Sequence, residues 1–537
     1  MQNLGLCNHC RKAVPCEFFV LGADGNRKPV ASPVAEAAAP QTRPRVSVPQ
    51  AGGPNGEGQV WIRKACPDCG ATESMVSSDA RAWMAKRDMW ASVPAEPEVC
   101  NLRCDRCGKD HKPNMVFLDV TNRCNMNCPI CIATIRGMGF DFNPPMEYFE
   151  KIFAELGRWD PQPVVQLFGG EPTVRKDLLE IIAVARKHGL WPHVTTNGVR
   201  LADEEYCRKL CEEQVPIRLS FDGRNPDIYE KLRNNRDACD KKLKGIENLK
   251  KHSRRKHTIV SCVAKGINDQ HLGGTLQFIH DNRDLISDLG VIPLTENWEK
   301  GQFDAGATTT MEDVEKMVQQ AVPGGGVEFV PAGLSYSMKR PRLFFRPNSR
   351  SETLLFAGVH PNCESMTFLI SDGKTYRGVN HYLKKPLAQA VTEFAALSDK
   401  IDARLAALDP AKTFQRLRGQ CLIVRTFAGW FLGTIHFRAL TDGRPVTGLL
   451  NAAWKWAFRR PKKKAGRSRR PRRILRVAVL PFEEQHSVDA ARMENCKAAF
   501  AYEDPADAKV KFFGACLWYP YRNAILEKLS GKYGVAP

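Results

Sequence analysis

Short apolar segments alternate with amphipathic segments through the middle of the chain. Six segments of strand length are apolar or β-branched: Met115–Val120, Pro163–Phe168, His193–Thr196, Ile217–Phe221, Thr258–Val263 and Leu289–Leu294. Apolar residues at helical spacing lie between them, in Tyr148–Leu156 and Leu178–Arg186, and residues 237–253 and 271–282 are further helix candidates. Strands that alternate with helices are typical of parallel α/β architectures. The pattern therefore predicts a parallel sheet, open or closed, that is covered by helices.

The segments on either side of this α/β region differ from it in composition. An Ala/Pro/Gly-rich stretch at about 30–57 predicts a flexible insertion within a small N-terminal unit. Beyond about residue 300 the alternation becomes irregular, and a helical, aromatic-rich region precedes a run of basic residues. The predicted units are 1–92, a cysteine knuckle over 93–114, the α/β region over 115–300, the helical region over 301–458, a basic linker over 459–473 and a C-terminal segment over 474–537.

Length and composition indicate several folded domains. The chain has 537 residues, of which 43% are hydrophobic and 26% are charged. At ~100–200 residues per domain this length corresponds to about two to four domains, and the apolar fraction excludes a disordered or fibrous protein. The first residues lack the basic and apolar regions of a secretory signal, and no uncharged apolar run reaches the ~18 residues of a spanning helix. We therefore expect a cytoplasmic protein in a reducing compartment.

Half of the net positive charge is concentrated in one segment. The formal charge is +20, and residues 459–473 contain ten Lys or Arg and no acidic residue. The prolines and the glycine in this run predict a solvated linker, which is either a passive loop or a site of attraction to an anionic polymer or membrane surface. The preceding aromatic stretch, Leu422–Phe458, is interpreted either as a packed domain or as an interfacial segment at headgroup depth. Peripheral association with the inner membrane surface is therefore one hypothesis for this chain.

The nineteen cysteines fall mostly into short spacings that indicate metal ligation. The most specific group is Cys124, Cys128 and Cys131, whose C-x3-C-x2-C spacing follows the first predicted strand. Three thiolates can hold three irons of a [4Fe–4S] cluster and leave the fourth iron open to a small molecule, whereas a structural zinc site closes with four ligands. The loop also lies where catalytic groups of parallel barrels are found, at the carboxyl end of a strand.

Motifs after the next four strands accompany this loop: Gly169-Gly170-Glu171-Pro172, Thr195-Thr196-Asn197-Gly198, Ser220-Phe221-Asp222-Gly223 and Val263–Asp269. In this order the motifs and the cysteine loop resemble the radical S-adenosylmethionine (SAM) superfamily. The resemblance implies a partial (β/α)6 TIM-type barrel and a SAM-binding [4Fe–4S] cluster held by the three cysteines. It implies SAM contacts from Gly169, Gly170, Glu171, Pro172, Thr196, Asn197, Ser220, Asp222 and Asn268. The acid and backbone of the glycine-rich motif are expected at the methionyl amine of SAM.

The same resemblance implies a reaction. The reduced cluster cleaves SAM to methionine and a 5′-deoxyadenosyl radical, and that radical abstracts hydrogen from an unactivated carbon. We expect an electron donor of the ferredoxin or flavodoxin type, and we expect the barrel to exclude water and oxygen. A non-catalytic zinc-ribbon protein that binds nucleic acid would explain the basic run but not the glycine-rich motif, so nucleic acid is not the expected partner.

Two further C-x2-C pairs lie near the amino terminus. They are Cys7 with Cys10 and Cys66 with Cys69. Neither pair completes a tetrahedral site alone, so we expect all four thiolates to meet at one metal. Sulfur ligation of this kind suits zinc or a single rubredoxin-type iron, and both stay open here.

Six other cysteines resemble the auxiliary-cluster ligands of tetraether lipid synthases and the related class D radical SAM methylases. They are Cys100, Cys104 and Cys107 before the first strand, and Cys363, Cys496 and Cys516 near the carboxyl end. The resemblance implies one or two auxiliary iron–sulfur clusters and a C-terminal auxiliary-cluster domain. Each site shows three thiolates, which leaves open a substrate-bound iron, a non-cysteine ligand or a missing cluster.

This subfamily implies the formation of a carbon–carbon bond, either by coupling of lipid tails or by methylation of a substrate carbon. A peptide-modifying maturase is the alternative enzyme. Cys239, Cys262 and Cys421 lie in apolar neighbourhoods and are interpreted as core thiols. Cys207 and Cys211, four residues apart on a predicted helix, could bind metal but are interpreted as packing or surface residues. Cys16 is either a structural residue or a spare ligand of the first knuckle.

Overall fold

A computed structural model describes eleven stretches of the chain. They are residues 3–30, 58–90, 100–104, 113–135, 137–296, 302–334, 339–345, 360–436, 473–482, 486–494 and 496–533. Four of the predicted features lie wholly or largely outside these residues: almost all of the insertion at 30–57, Cys107, residues 437–458 of the aromatic stretch, and the basic linker apart from Arg473.

The N-terminal unit is a small antiparallel sheet. Its strands are β1 (Leu4–Leu6), β2 (Ala13–Leu21), β3 (Arg27–Val30), β4 (Gln59–Cys66) and β5 (Gly70–Ser77). They pair in the order β1-β2-β4-β5, and β3 pairs with β2. Every second residue of β4 is buried from Val60 to Cys66, as expected of a strand with one covered face.

The remaining strands form one large sheet. They are β6 (Met115–Asp119), β7 (Val164–Phe168), β8 (His193–Thr196), β9 (Ile217–Ser220), β10 (His257–Val263), β11 (Ile286–Pro293), β12 (Val330–Pro331), β13 (Ser365–Ser371), β14 (Tyr376–Gly378), β15 (Ile474–Val479), β16 (Ala498–Glu503) and β17 (Val510–Gly514). The strand order is β12-β13-β15-β11-β10-β9-β8-β7-β6-β16-β17, and β14 pairs with β13. Strands β6 to β11 are consecutive parallel neighbours, so the six predicted strands and their parallel pairing are confirmed.

Helices connect and cover these strands. They are α1 (Ala80–Trp90), α2 (Met146–Gly157), α3 (Leu178–Lys187), α4 (Glu204–Glu212), α5 (Pro226–Arg233), α6 (Ala238–His252), α7 (Leu272–Asp281), α8 (Met311–Ala321), α9 (Lys339–Phe345), α10 (Leu387–Ala406), α11 (Thr413–Thr434), α12 (Ala490–Glu494) and α13 (Ala515–Tyr533). Helix α2 shows why the pattern works, because its buried residues Tyr148, Phe149, Ile152, Phe153 and Leu156 repeat every three or four positions. None of the helices described here combines the length and the apolar character needed to cross a bilayer.

The C-terminal segment extends the sheet at two places. Strand β15 pairs in parallel with β11, while β16 pairs in parallel with β6 and then antiparallel with β17. Over the described residues the pairings form an open path, so the partial barrel and the separate C-terminal domain stay predictions.

A buried ion pair joins the N-terminal unit to the α/β region. The Lys86 ammonium on α1 lies 2.9 Å from a carboxylate oxygen of Glu312 and 2.7 Å from one of Glu315, both on α8. The Ser77 hydroxyl at the end of β5 donates to Glu312 as well, at 2.8 Å. Since these groups are almost fully buried, the contact fixes the N-terminal sheet against the larger one.

Candidate active site and metal centres

The predicted cofactor motifs lie at one edge of the large sheet. The cysteine loop follows β6, the glycine-rich motif follows β7, Thr196 ends β8, Ser220 ends β9 and Asn268 follows β10. These five strands are adjacent and parallel, so their carboxyl ends lie side by side. The edge beyond the carboxyl ends is where parallel sheets bind ligands.

The two glycines of the motif are required by the start of the cysteine loop. Gly169 has φ +130°, and a Cβ added there would clash with the carbonyl oxygen of Thr121. A Cβ at Gly170 would clash with the carbonyl oxygen of Arg123. The Gly170 amide donates to Thr121 at 2.7 Å, so the backbones of the two loops are in direct contact. The glycines therefore allow the loop that carries the cysteines to pack onto the end of β7.

The carboxylate of Glu171 joins the loops after β7 and β8. It accepts hydrogen bonds from the amide and hydroxyl of Thr173 at 3.0 and 2.6 Å, from the Thr196 hydroxyl at 2.7 Å and from the Asn197 amide at 2.6 Å. Burial raises the pKa of Glu171, and these donors oppose the rise. Four donors match the acceptor capacity of a carboxylate, so Glu171 positions the loops, and its contact with the SAM amine stays a prediction.

The three loop cysteines are half-buried. Burial raises the pKa of Cys124 to about 12, and the two other loop thiols add to the rise. Burial likewise raises the pKa of Cys128, against the nearby positive charge of Arg233. The side-chain Nδ2 of Asn197 donates to the Cys124 sulfur at 3.9 Å. Thiolates in such a partly buried place need a cationic partner, so this donor set fits an iron–sulfur cluster.

A buried hydroxyl beside the loop supports the same fit. The hydroxyl of Tyr519 on α13 is buried and has no hydrogen-bond partner among the described residues. Burial raises its pKa, and Asp119 adds to the rise, followed by the thiols of Cys516 and Cys131. A cluster bound by the loop would give the hydroxyl an acceptor.

Arg522 on α13 holds the cysteine loop against the end of β6. Its Nε donates to Asp119 at 2.7 Å, and its Nη1 donates to the carbonyl oxygen of Ala133 at 2.7 Å. Trp518 donates to the same Asp119 oxygen at 2.9 Å. Sequence reasoning missed these contacts, and it did not single out Asp119, Trp518 or Arg522 as functional residues. The sequence signal for Asp119 was an acidic residue at the end of an otherwise apolar strand.

A second buried ion pair lies at the end of β9. Asp222 accepts from Arg233 Nε at 2.8 Å and from the Cys262 amide at 2.9 Å. The ammonium of Lys242 donates to the carbonyl oxygen of Ser220 at 3.0 Å, and burial lowers the pKa of Lys242 to about 8. Sequence reasoning missed Arg233 and Lys242. The available signal for Lys242 was its position on the apolar side of α6, in line with Ala238 and Ile246. A surface lysine would lie on the polar side of the helix.

Several predicted SAM contacts use their side chains within the protein. Asn268 accepts from the Ala264 amide and donates to the Cys262 carbonyl, both at 2.8 Å. Thr196 accepts from the Gly198 amide at 3.0 Å besides donating to Glu171. The structure therefore gathers the predicted residues at one edge and shows them shaping the loops, and their contacts with SAM stay predictions.

A family model described as the radical SAM superfamily matches residues 118–279. The chain contains a radical SAM domain. The matched range runs from β6 into α7, so it includes the cysteine loop and all four accompanying motifs. The predicted resemblance is confirmed at this level.

Similar proteins extend the comparison beyond the radical SAM domain. The chain is 31% identical over 337 residues to 7,8-dihydro-6-hydroxymethylpterin dimethyltransferase of Methanocaldococcus jannaschii, which covers 59% of this chain and 64% of that protein. It is 36% identical over 141 residues to Fe-coproporphyrin III synthase of Methanosarcina barkeri, covering 26% and 34%. It is 29% identical over 131 residues to PqqA peptide cyclase of Bradyrhizobium diazoefficiens, covering 24% and 34%. The matches thus span less than two thirds of each of these relatives.

A four-thiolate site lies outside the radical SAM domain, in the N-terminal sheet. The sulfur atoms of Cys7, Cys10, Cys66 and Cys69 all lie within 4.8 Å of one another. Those of Cys10 and Cys66 are 3.7 Å apart, and Zn–S bonds of ~2.3 Å in a tetrahedron place sulfurs ~3.8 Å apart. The predicted convergence of the two pairs is observed, and the donor set fits one zinc or one iron.

The candidate auxiliary cysteines lie on both sides of the radical SAM domain in the sequence. Cys104 Sγ lies 4.0 Å from the Cβ position of Gly514, two residues before Cys516. Cys496 lies just before β16, and its thiol donates to the Ala498 carbonyl at 3.3 Å. The N-terminal knuckle and the C-terminal segment therefore meet at the β16–β17 end of the sheet.

A cavity of about 70 Å³, lined by both apolar and polar side chains, lies at the carboxyl ends of β11 and β15. At ~10–15 Å³ per ordered water, it holds about five waters or a small polar group. Its lining includes Arg87, Arg492, His360 and Asn362. Burial lowers the pKa of His360, and the two arginines lower it further. The side-chain oxygen of Asn362 is buried and has no hydrogen-bond partner among the described residues.

The cysteines that we interpreted as packing residues divide into two kinds. Cys207, Cys211 and Cys239 are buried, as expected, and Cys262 is half-buried. Cys421 is exposed, so its predicted place in a core is wrong. Its apolar sequence neighbours Leu422 and Ile423 pack against the protein, but Cys421 itself lies on the solvent-facing side of α11, and the sequence pattern alone does not distinguish the two sides.

Proposed function

We propose that this protein is a radical SAM enzyme that forms a carbon–carbon bond. The observation that carries the proposal is the three-cysteine loop, packed through Gly169 and Gly170 onto a neighbouring strand end within the matched domain. A [4Fe–4S] cluster held by Cys124, Cys128 and Cys131 would supply the electron that cleaves SAM and yields the hydrogen-abstracting radical.

The chain's own residues hold and enclose this site. Asn197 orients the Cys124 sulfur, and Arg522 ties the loop to Asp119. Glu171 keeps the loops after β7 and β8 at a fixed distance from each other. The backbone of the glycine-rich motif, with Thr196, Ser220, Asp222 and Asn268, would border SAM. We propose that the parallel sheet curves into a partial barrel, and that a ferredoxin or flavodoxin supplies electrons.

Methylation of a substrate carbon is the outcome we favour. The relative named a dimethyltransferase matches 337 residues, well beyond the matched domain, whereas the peptide cyclase matches 131. The cavity beside β11 lies at the same sheet edge as the cysteine loop, and it would take a polar group of the substrate. Coupling of lipid tails stays the second outcome for the same chemistry.

A peptide-modifying maturase is the second candidate function. The match to a peptide cyclase favours it, although that match covers only 24% of this chain. We propose that Cys100, Cys104 and Cys107, with Cys363, Cys496 and Cys516, bind one or two auxiliary clusters in either case. The approach of Cys104 to the segment of Cys516 supports a shared site.

Anaerobic reconstitution tests the proposal. Protein with SAM and a strong reductant should release 5′-deoxyadenosine, and the change of Cys124, Cys128 and Cys131 together to Ala should abolish that product. The matched control changes Cys207, Cys211 and Cys239 to Ala, since these are three buried thiols outside the motif. Iron and sulfide analysis should show the loss of one cluster in the first variant and none in the control. Undiminished product from the first variant would refute the assignment.

A further inference from the structure

Helix α11 (Thr413–Thr434) presents large apolar side chains to solvent. Phe414 is 81% exposed, Leu417 52%, Val424 57% and Leu432 60%. Elsewhere in the described residues, exposed large apolar side chains such as Trp191 occur singly. Single exposed apolar residues are normal on protein surfaces, whereas a contiguous group marks an interaction site.

The spacing places these residues on one face of the helix. Phe414, Leu417, Cys421 and Val424 follow at intervals of three or four, and all four are exposed. We call them, with Leu432, the α11 outer face. This face is continuous along the helix, because Ala428 between Val424 and Leu432 is exposed too.

The opposite face of α11 is packed against the protein. Ile423 and Gly419 are buried, and a Cβ at Gly419 would clash with the ring of Phe344. The rings of Phe427 and Phe394, which lies on α10, stack with centroids 4.3 Å apart. The inner face therefore holds the helix in place, and this packing directs the apolar side chains of the outer face towards solvent.

Unpaired positive charges border the outer face. Helix α11 contains no Asp or Glu, and its exposed Arg418 and Arg425 lie two turns apart on one flank. Neither arginine forms an ion pair or a hydrogen bond with its side chain in the described part of the chain. Farther along the sequence, residues 459–473 add ten Lys or Arg.

We propose that the α11 outer face docks onto an anionic lipid bilayer. An apolar face flanked by arginines is the arrangement of interfacial helices, with apolar side chains below the headgroups and guanidiniums at the phosphates. A second copy of this chain fits less well, because a two-fold contact would bring like charges together. The inference does not depend on the proposed function, since none of these residues belongs to the active site.

Sedimentation with vesicles tests this inference on the full chain. Vesicles of phosphatidylcholine alone are compared with vesicles that also contain phosphatidylglycerol. We expect binding to the anionic vesicles only, and weaker binding at high salt. Changing Arg418 and Arg425 to Gln should reduce the partition constant about 30-fold, since each Lys or Arg near the surface is worth ~1 kcal/mol and ~1.4 kcal/mol is a factor of ten. Changing Phe414, Leu417 and Val424 to Ser should abolish binding.

The control is Trp191→Ser, which removes an equally exposed ring far along the chain from α11 and should leave binding unchanged. Unchanged circular dichroism and metal content show that each variant is folded. Equal binding to neutral vesicles, or equal loss in the control, would overturn the proposal. Failure to bind vesicles, together with dimerisation that the Ser variant abolishes, would assign the face to a second copy instead.

Discussion

The two best-defined cysteine groups of this protein are held in opposite ways. Cys7, Cys10, Cys66 and Cys69 converge tightly and lie on the strands and turns of one small sheet. Cys124, Cys128 and Cys131 do not form such a tight group, as far as the described residues show, and their loop is held by residues from distant parts of the chain. A closed set of ligands suits a structural ion, whereas a spread set of three suits a cluster with one open iron.

The comparison teaches which contacts each metal site needs. The N-terminal site depends on the pairing of strands β1, β2 and β4, and the metal would in turn stabilise this sheet. The loop depends on Gly169, Gly170 and Glu171 after β7 and on Arg522 from α13, which contact it from two separate elements. Variants of these contacts should therefore separate the two sites.

The largest effect should follow from removing thiolates of the N-terminal site. Cys66→Ser with Cys69→Ser should eliminate its metal and unfold the first sheet, because structural zinc contributes about 10–16 kcal/mol in small metal-bound peptides. Any cluster bound by Cys124, Cys128 and Cys131 should persist. Metal analysis and proteolysis of the first 90 residues measure the effect. Replacing residues 31–57 by a short linker is the control, and loss of metal there would show that the insertion is not passive.

The next largest effect should follow from removing Arg522, which supports the cysteine loop. Arg522→Met leaves Asp119 buried without its ion pair, which costs about 3–5 kcal/mol. We expect the loop to lose its cluster while the N-terminal metal stays, as measured by iron, sulfide and zinc analysis. Arg208→Gln is the control, since this arginine pairs with acids on the surface of α4 and should change stability by less than about 1 kcal/mol. Retention of the cluster in Arg522→Met would show that the loop holds itself.

A smaller loss of stability should follow from adding a side chain where the glycine-rich motif contacts the cysteine loop. Gly170→Ala forces the ends of β6 and β7 apart and should destabilise the fold by about 1–3 kcal/mol in denaturant unfolding. Gly274→Ala on α7 is the control, because nothing lies within 4 Å of its added Cβ. A helical glycine replaced by alanine should stabilise by up to about 1 kcal/mol. Equal effects of the two changes would contradict the role assigned to Gly170.

The smallest predicted effect is a change in the pH dependence of stability, and it should come from His193 in β8. Burial, with the charges of Arg218 and Arg255, lowers the pKa of His193 from 6.5 to about 3. The unfolded chain therefore binds a proton that the folded chain does not, so stability is lost as pH falls from 6.5 towards 3. His193→Gln should flatten the pH dependence of unfolding by up to about 1 kcal/mol per pH unit. An unchanged slope would mean that His193 is protonated in the folded protein.

Much of the fold could be predicted from the sequence. The six parallel strands come from short apolar runs whose burial on both sides makes them recognisable. The strands β15 and β16 were not assigned to this sheet, because a strand's partner depends on contacts across hundreds of residues. The exposure of Cys421 was missed for a related reason, since both faces of α11 are apolar in sequence and only packing decides which is covered.

The sequence by itself determined the ligand types and their spacing in each metal site. C-x3-C-x2-C and paired C-x2-C are local patterns, and local patterns can be recognised without knowledge of the fold. Only the tertiary structure decided which side chains support those ligands. Glu171 binds Thr196 and Asn197, and Arg522 reaches Asp119 and Ala133 across nearly 400 residues of sequence, at 403 and 389 positions. A buried carboxylate or guanidinium must find partners wherever the fold places them, and no local pattern carries that information.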